Sequence, residues 1–218
     1  NANTTASNNT AVGYNSLIAN TTGVNNTAVG HSALTANTTG GYCVAVGLNS
    51  LDANTTGGSN VAVGWSSLSA NTTGENNTAA GLNSGSAITT GNRNTVMGIN
   101  AGNGITTGSN NIIIGNGSNV SASGGAAQIV LGDSVTSVGN DNFTFGIGSS
   151  DSNIAAGATS ITAPSDIRLK EDIQDEEVGL DFINDLRPVT FQWKKEKDIP
   201  SDMKAYKEGS EERTMNGK

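Results

Sequence analysis

Glycine preceded by a mostly apolar residue recurs at Gly13, Gly30, Gly47, Gly64, Gly81, Gly98, Gly115 and Gly132, an unbroken period of 17 residues. A second series, Gly23, Gly40, Gly57, Gly74, Gly91 and Gly108, keeps the same period and closes segments such as N-T-T-G and I-T-T-G. A repeat of 17 residues is long enough for two short strands and two corners but too short to enclose a core, so each repeat has to bury itself against its neighbours. The fold class expected is therefore mainly β, a parallel β-roll or β-solenoid over residues 1–132. The glycines mark two corners per repeat, where positive φ is needed. Two rows are expected to face the interior: Val12, Val29, Val46, Val63 and their equivalents before the first glycine series, and Leu17, Leu34, Leu51 and Leu68 after it. A polar row, Asn9, Asn26, Asn60, Asn77, Asn94 and Asn111, is expected to form an amide ladder along the stack, with Cys43 standing in for asparagine in one coil.

Composition excludes several function classes. Only 34% of the residues are apolar and 4% aromatic, which is thin material for a conventional core and leaves much of the burial to other copies of the chain. A net charge of −8 disfavours phosphate-mediated nucleic-acid binding, and no apolar run is long enough to span a bilayer. A lone cysteine cannot make an intrachain disulfide; its alternative to a ladder role is a reactive or interchain thiol. With His31 the only histidine and no G-G-x-G-x-D repeats, no metal or cofactor is expected.

Beyond Gly132 the period fails. Phe143, Phe145 and Ile147 alternate as a strand, and Gly148 to Ala163 reads as linker, so residues 133–164 form a neck. Composition then changes at Ser165: the preceding residues carry only Asp52, Glu75, Arg93, Asp133, Asp141 and Asp151 as charged groups, and all other charge follows. Residues 165–218 are expected to be a small α+β segment. An amphipathic helix from about Asp175 through Leu186 ends at Pro188, a strand carries Val189, Phe191 and Trp193, and a mixed-charge loop runs from Lys194.

The repeat N-T-A-V-G-x-x-S-[AL] resembles the head repeats of trimeric autotransporter adhesins and related phage-fibre repeats, from about Asn9 to Gly132. The run Ser165-Asp166-Ile167-Arg168-Leu169-Lys170-Glu171-Asp172-Ile173, followed by Leu186-Arg187-Pro188-Val189-Thr190-Phe191-Gln192-Trp193, resembles the intramolecular chaperone of phage endosialidases, tailspikes and fibres. That domain trimerises the fibre and then cuts itself off. The resemblance implies Ser165 as nucleophile, Lys170 as its base and Ser165-Asp166 as the bond cut. Chemically, a lysine whose pKa is lowered by burial or by Arg168 can take a serine proton. Where this sequence has Asp172 the family often has Asn. Family domains continue well past the length present after Ser165, so the chain is expected to hold only the first part of one and to remain uncut; Asn1 falls inside a repeat, which implies an upstream part.

The function expected is a structural virion fibre, extracellular and homotrimeric, that attaches to a host-surface glycan or protein receptor, with catalysis confined to its own cleavage. The alternatives are a glycan-degrading tailspike, which needs paired carboxylates that the scattered Asp52, Glu75, Asp133, Asp141 and Asp151 do not obviously supply, and an ice-binding or bacterial adhesin solenoid. The ice-binding reading rests on threonine pairs such as Thr21-Thr22 and Thr38-Thr39.

Overall fold

The computed structural model describes residues 5–158, 195–198 and 208–211. The chain divides into two compact units, Asn1–Ser165 and Asp166–Lys218. In the first, ten strands make one sheet in chain order: β1 (Thr10–Val12), β2 (Thr27–Val29), β3 (Val44–Val46), β4 (Val61–Val63), β5 (Thr78–Ala80), β6 (Thr95–Met97), β7 (Ile112–Ile114), β8 (Ile129–Asp133), β9 (Asn142–Ile147) and β10 (Ser150–Ala155). β1 to β9 are parallel, and equivalent residues of successive repeats pair, Thr10 with Thr27 and Val44 with Val61. This is the parallel β-solenoid expected from the period.

Each coil has one strand rather than two. The opposite wall is a run of turns, tied to the next coil by backbone bonds such as Thr21 N–H to the Thr38 carbonyl (2.9 Å) and by the Thr21 hydroxyl donating to the same oxygen (2.9 Å). The bond repeats from the hydroxyls of Thr38, Thr55, Thr72 and Thr89, so this threonine row is consumed structurally and one exposed rank, Thr22, Thr39, Thr56 and their equivalents, remains.

The expected interior needs one correction. The residues before the first glycine series point outward: Val12, Val63, Met97 and Ile114 are exposed. In a three-residue strand the first and third side chains share a face and the middle one takes the other. The middle row, Ala28, Ala45, Ala62, Ala79, Val96 and Ile113, is fully buried, together with Leu34, Leu51 and Leu68. A coil this narrow admits alanine opposite leucine but not valine at every position.

The two glycine series exist for different reasons. Gly64 has φ +135°, and a Cβ there would stand 2.4 Å from the Gly81 carbonyl oxygen. Gly57 has no positive φ; it is glycine because a Cβ would meet the Gly74 carbonyl oxygen at 2.3 Å and Asn54 Oδ1 at 2.7 Å. Close stacking, rather than left-handed backbone, sets the second series.

Two asparagine ladders run through the stack. In the first, each Oδ1 accepts the backbone N–H of its counterpart one coil on, as from Asn60 to Asn77 (2.9 Å), while Nδ2 donates to a glycine carbonyl, as Asn60 does to Gly74 (2.7 Å). Gln128 ends this ladder: its N–H donates to Asn111 Oδ1, and its longer side chain turns to Ser121 and Asn140. In the second, Asn37, Asn54 and Asn71 each donate to the Oδ1 of the preceding coil at 2.8–2.9 Å. The second-ladder amides are buried, so the Asn-Thr-Thr triplets that begin at Asn37, Asn54 and Asn71 are closed to glycosylation in the folded shaft.

Cys43 occupies the first ladder as expected, fully buried with Sγ 3.4 Å from the Gly57 carbonyl oxygen. Burial pushes its thiol up, against hydrogen bonds from the Asn60 and Ser59 backbone, which removes the reactive-thiol alternative for the folded chain. Asparagine at this position would restore an Oδ1 for Asn60 N–H and an Nδ2 for Gly57. Cys43→Asn is expected to stabilise the shaft by about 1 kcal/mol; a lowered thermal midpoint would show that the site is shaped for sulfur.

From the fifth coil the interior is filled from another corner. Leu51 and Leu68 sit in left-handed backbone at φ +52° and +51°; their equivalents are Gly85 and Gly102, and Ile88 and Ile105 replace the asparagines three residues further on. Ile88 offers no donor, and Asn71 Oδ1 is accordingly left buried without a partner.

The end of the sheet also departs from the sequence reading. β9 pairs in register with β8, Phe143 beside Ile129, so the solenoid continues past the last full repeat through a shortened coil. β10 lies within residues read as linker. Its sequence, S-D-S-N-I-A, is poor in strand formers, and the pairing is set instead by the two-residue loop Gly148-Ser149, with Gly148 at φ +60°, and by Ile154 beside Phe143.

Candidate assembly surface

The functional surface of the first unit is built by strand alternation. Because the narrow interior takes only each strand's middle residue, the outer face receives Thr10 and Val12, Val61 and Val63, Ile112 and Ile114, and their equivalents. The residues after the glycines add exposed Tyr14, Leu48, Trp65, Leu82 and Ile99. None of these rows carries a charge until Asp133; Asp52, Glu75 and Arg93 fall at other positions of the repeat. Sequence reasoning missed the face by assigning its third-residue row to the core. The signal was present in the alanine held at the middle of each strand from β1 to β5.

At the C-terminal end of this face a shallow groove of about 380 Å³ is lined by Ile129, Phe143, Ile154, Asp141 and neighbouring alanines. Asp141 is its one carboxylate among the described residues, whereas glycoside hydrolysis calls for two. Among the described residues no group of three His, Cys, Asp or Glu side chains is placed to hold a metal ion, and no helix is long and apolar enough to cross a membrane.

In the second unit the described residues bring two chain segments together. A short 3₁₀ turn, Glu196–Asp198, lies beside residues 208–211, with the Lys197 N–H donating to the Ser210 carbonyl and with Lys195 and Lys197 both paired to Glu211. The hydrogen bonds from Lys195 and Lys197 hold the Glu211 carboxyl down to about 2. The pairing is thus present above the ordinary carboxylate range and lost as pH falls towards that value; being fully exposed, it contributes little to stability. The mixed-charge stretch read as a loop is at least locally organised by this pair.

The sequence of this unit places it among known proteins. Residues 165–209 match the family described as chaperone of endosialidase. The match begins at Ser165, the first residue of the S-D-I-R-L-K run, and takes in the R-P-V-T-F-Q-W run. It supports a trimer-assembly chaperone role on a β-solenoid fibre. Comparison with curated proteins and with solved structures gave no match. Ser165, Asp166 and Lys170, with the helix expected over residues 175–186 and the strand over 189–193, lie outside the described residues.

Proposed function

We propose that the chain is part of a trimeric viral or bacteriophage fibre that attaches to a host-surface glycan or protein, and that its chaperone segment assembles three chains and then cuts itself free. The observation that carries this reading is the start of the family match at Ser165, in a chain whose preceding residues form a regular solenoid with an outer face uncharged over β1 to β7. A rod of stacked coils suits the task of holding a receptor-binding surface away from a particle, and an extracellular location follows from that task.

Cleavage assigns Ser165 as nucleophile and Lys170 as base. The neutral Lys170 amine takes the Ser165 hydroxyl proton; because attack on a serine's own carbonyl would close a strained four-membered lactone, the freed oxygen attacks the carbonyl of the Ser165-Asp166 bond in a neighbouring copy, and the proton passes to that copy's departing Asp166 amine. Water then opens the ester, so one water is consumed, leaving a carboxyl on Ser165 and an amine on Asp166. Orientation of the hydroxyl and exclusion of bulk water are supplied by assembly, which couples the cut to trimer formation.

The test uses the chain with its full natural C-terminus, read by denaturing gel and fragment mass. Ser165→Ala is expected to abolish cleavage, and Lys170→Ala to slow it by about a hundredfold or more. Cleavage of either variant at the wild-type rate overturns that residue's role. Trimers that are never cut would leave the segment an assembly domain alone.

A further inference from the structure

We infer that the outer face of the solenoid sheet is the surface through which the shaft meets two further copies of this chain, and that it closes from the C-terminal coils towards the N-terminal ones. The inference rests on the trimeric reading above. Parallel sheets are found with both faces covered, yet here one face is core and the other stands open in the lone chain. Its third-residue row is apolar in every coil, Val12 to Leu131, and Ile112, Ile114 and Ile129 are 38–41% exposed.

A second copy suits this face better than other occupants. The face is uncharged over β1 to β7, so identical copies bring no like charges together when coil meets equivalent coil around a three-fold axis. It also runs the length of the shaft, as an interface between parallel copies of a rod must.

Direction follows from a step in apolar area at the C-terminal end. Outward first and third residues are Thr10 and Val12 in β1 and Val61 and Val63 in β4, fall back to Thr78 and Ala80 in β5 and Thr95 and Met97 in β6, and become Ile112 and Ile114 in β7 and Ile129 and Leu131 in β8. Phe143 and Ile154 extend the apolar end into the groove. Association free energy grows with the apolar area removed from water, so the coils next in sequence to the assembly segment hold most of it. Once three chains are joined there, each further coil meets its copies at high effective concentration, and weak Thr-Val coils suffice.

The experiment compares Ile114→Asp, Val29→Asp and, on the opposite wall, Thr90→Asp in the chain with its natural C-terminus. Trimer yield is read by sedimentation and the fold by circular dichroism. Ile114→Asp is expected to lower the yield by about tenfold or more, Val29→Asp by less than about threefold, and Thr90→Asp not at all. Ile114→Cys adds a readout that keeps the fold: its thiol reacts with a soluble maleimide in monomers and is protected in trimers, while Cys43 stays buried in both. A monomeric wild type removes the trimeric reading and this inference together. A trimeric wild type in which Ile114→Asp assembles normally, or in which the Ile114→Cys thiol stays fully reactive, overturns the face alone. Equal losses at Val29 and Ile114 overturn the direction.

Discussion

Gly64→Ala is expected to disrupt the shaft, at a cost above about 4 kcal/mol, because two independent penalties fall on one methyl group. The first is conformational: Gly64 sits at φ +135°, which side-chain-bearing residues rarely adopt, at about 1–3 kcal/mol. The second is steric: the methyl would lie 2.4 Å from the Gly81 carbonyl oxygen and 2.7 Å from its carbon, and backbone cannot swing aside as a flexible side chain does. Relief requires the fourth and fifth coils to separate. That stretches bonds such as Val61 N–H to the Asn77 carbonyl, 2.8 Å in the intact stack. In a quasi-one-dimensional array a broken interface divides the stack rather than loosening it evenly. Denaturant unfolding followed by far-ultraviolet circular dichroism checks this, with Gly58→Ala as the control. A methyl at Gly58 stands 3.3 Å from its nearest neighbour, without positive φ, and is expected to cost less than about 1 kcal/mol. Equal effects at the two positions would contradict the steric account.

The second large effect is a coupling. Leu68→Gly and Asn71→Ile together convert the fourth coil to the form found in the fifth, where Gly85 and Ile88 occupy the equivalent positions. Leu68→Gly alone leaves a cavity, at about 2–5 kcal/mol for loss of a buried leucine side chain, offset in part by release of the backbone at φ +51°. Asn71→Ile alone overpacks the corner and strips Asn54 Oδ1 of its 2.8 Å donor and the Gly74 carbonyl of its 3.1 Å donor. In the double variant the isoleucine fills the space the leucine vacates, and only the polar loss remains. The double change is expected to be less damaging than the sum of the single changes by about 2 kcal/mol or more, measured as a double-mutant cycle. Additivity would mean that Leu68 and Asn71 do not share one space.

The fold was legible because repetition exposes what is common to every coil. The period, the Leu17-to-Leu68 row and the asparagine ladder with Cys43 in it could all be read from identical residues at identical spacing. The direction of a row was less legible. Valine before glycine looks like core by hydropathy, and only the cramped middle position, held by alanine in β2 through β5, reveals which side is inside. The exchange of Leu68 and Asn71 for Gly85 and Ile88 was hidden because each change taken alone looks like repeat decay; the meaning lies in the pair. β10 was missed because a two-residue loop and one anchoring isoleucine, rather than strand propensity, hold it. For the cleavage site, Ser165 and Lys170 are recognisable as a motif, but an attack trajectory is a property of three-dimensional placement that a six-residue run does not encode.

The sameness of the early coils has a consequence for how such fibres vary. Between Gly30 and Gly64 each coil presents leucine, the second-ladder asparagine and glycine to its neighbours in the same way. Removing or duplicating one unit of 17 residues there leaves the leucine, glycine and second-ladder contacts of the same kind. It alters length alone, by one strand spacing of about 4.8 Å. A join that places a leucine coil after the fifth instead reverses the handover: its second-ladder asparagine would follow Ile88, which has no Oδ1 to accept the bond that Asn71 makes to Asn54. The N-terminal part of the shaft is thus a ruler that recombination between near-identical repeats can lengthen or shorten in fixed steps, while the leucine coils are held ahead of the glycine ones.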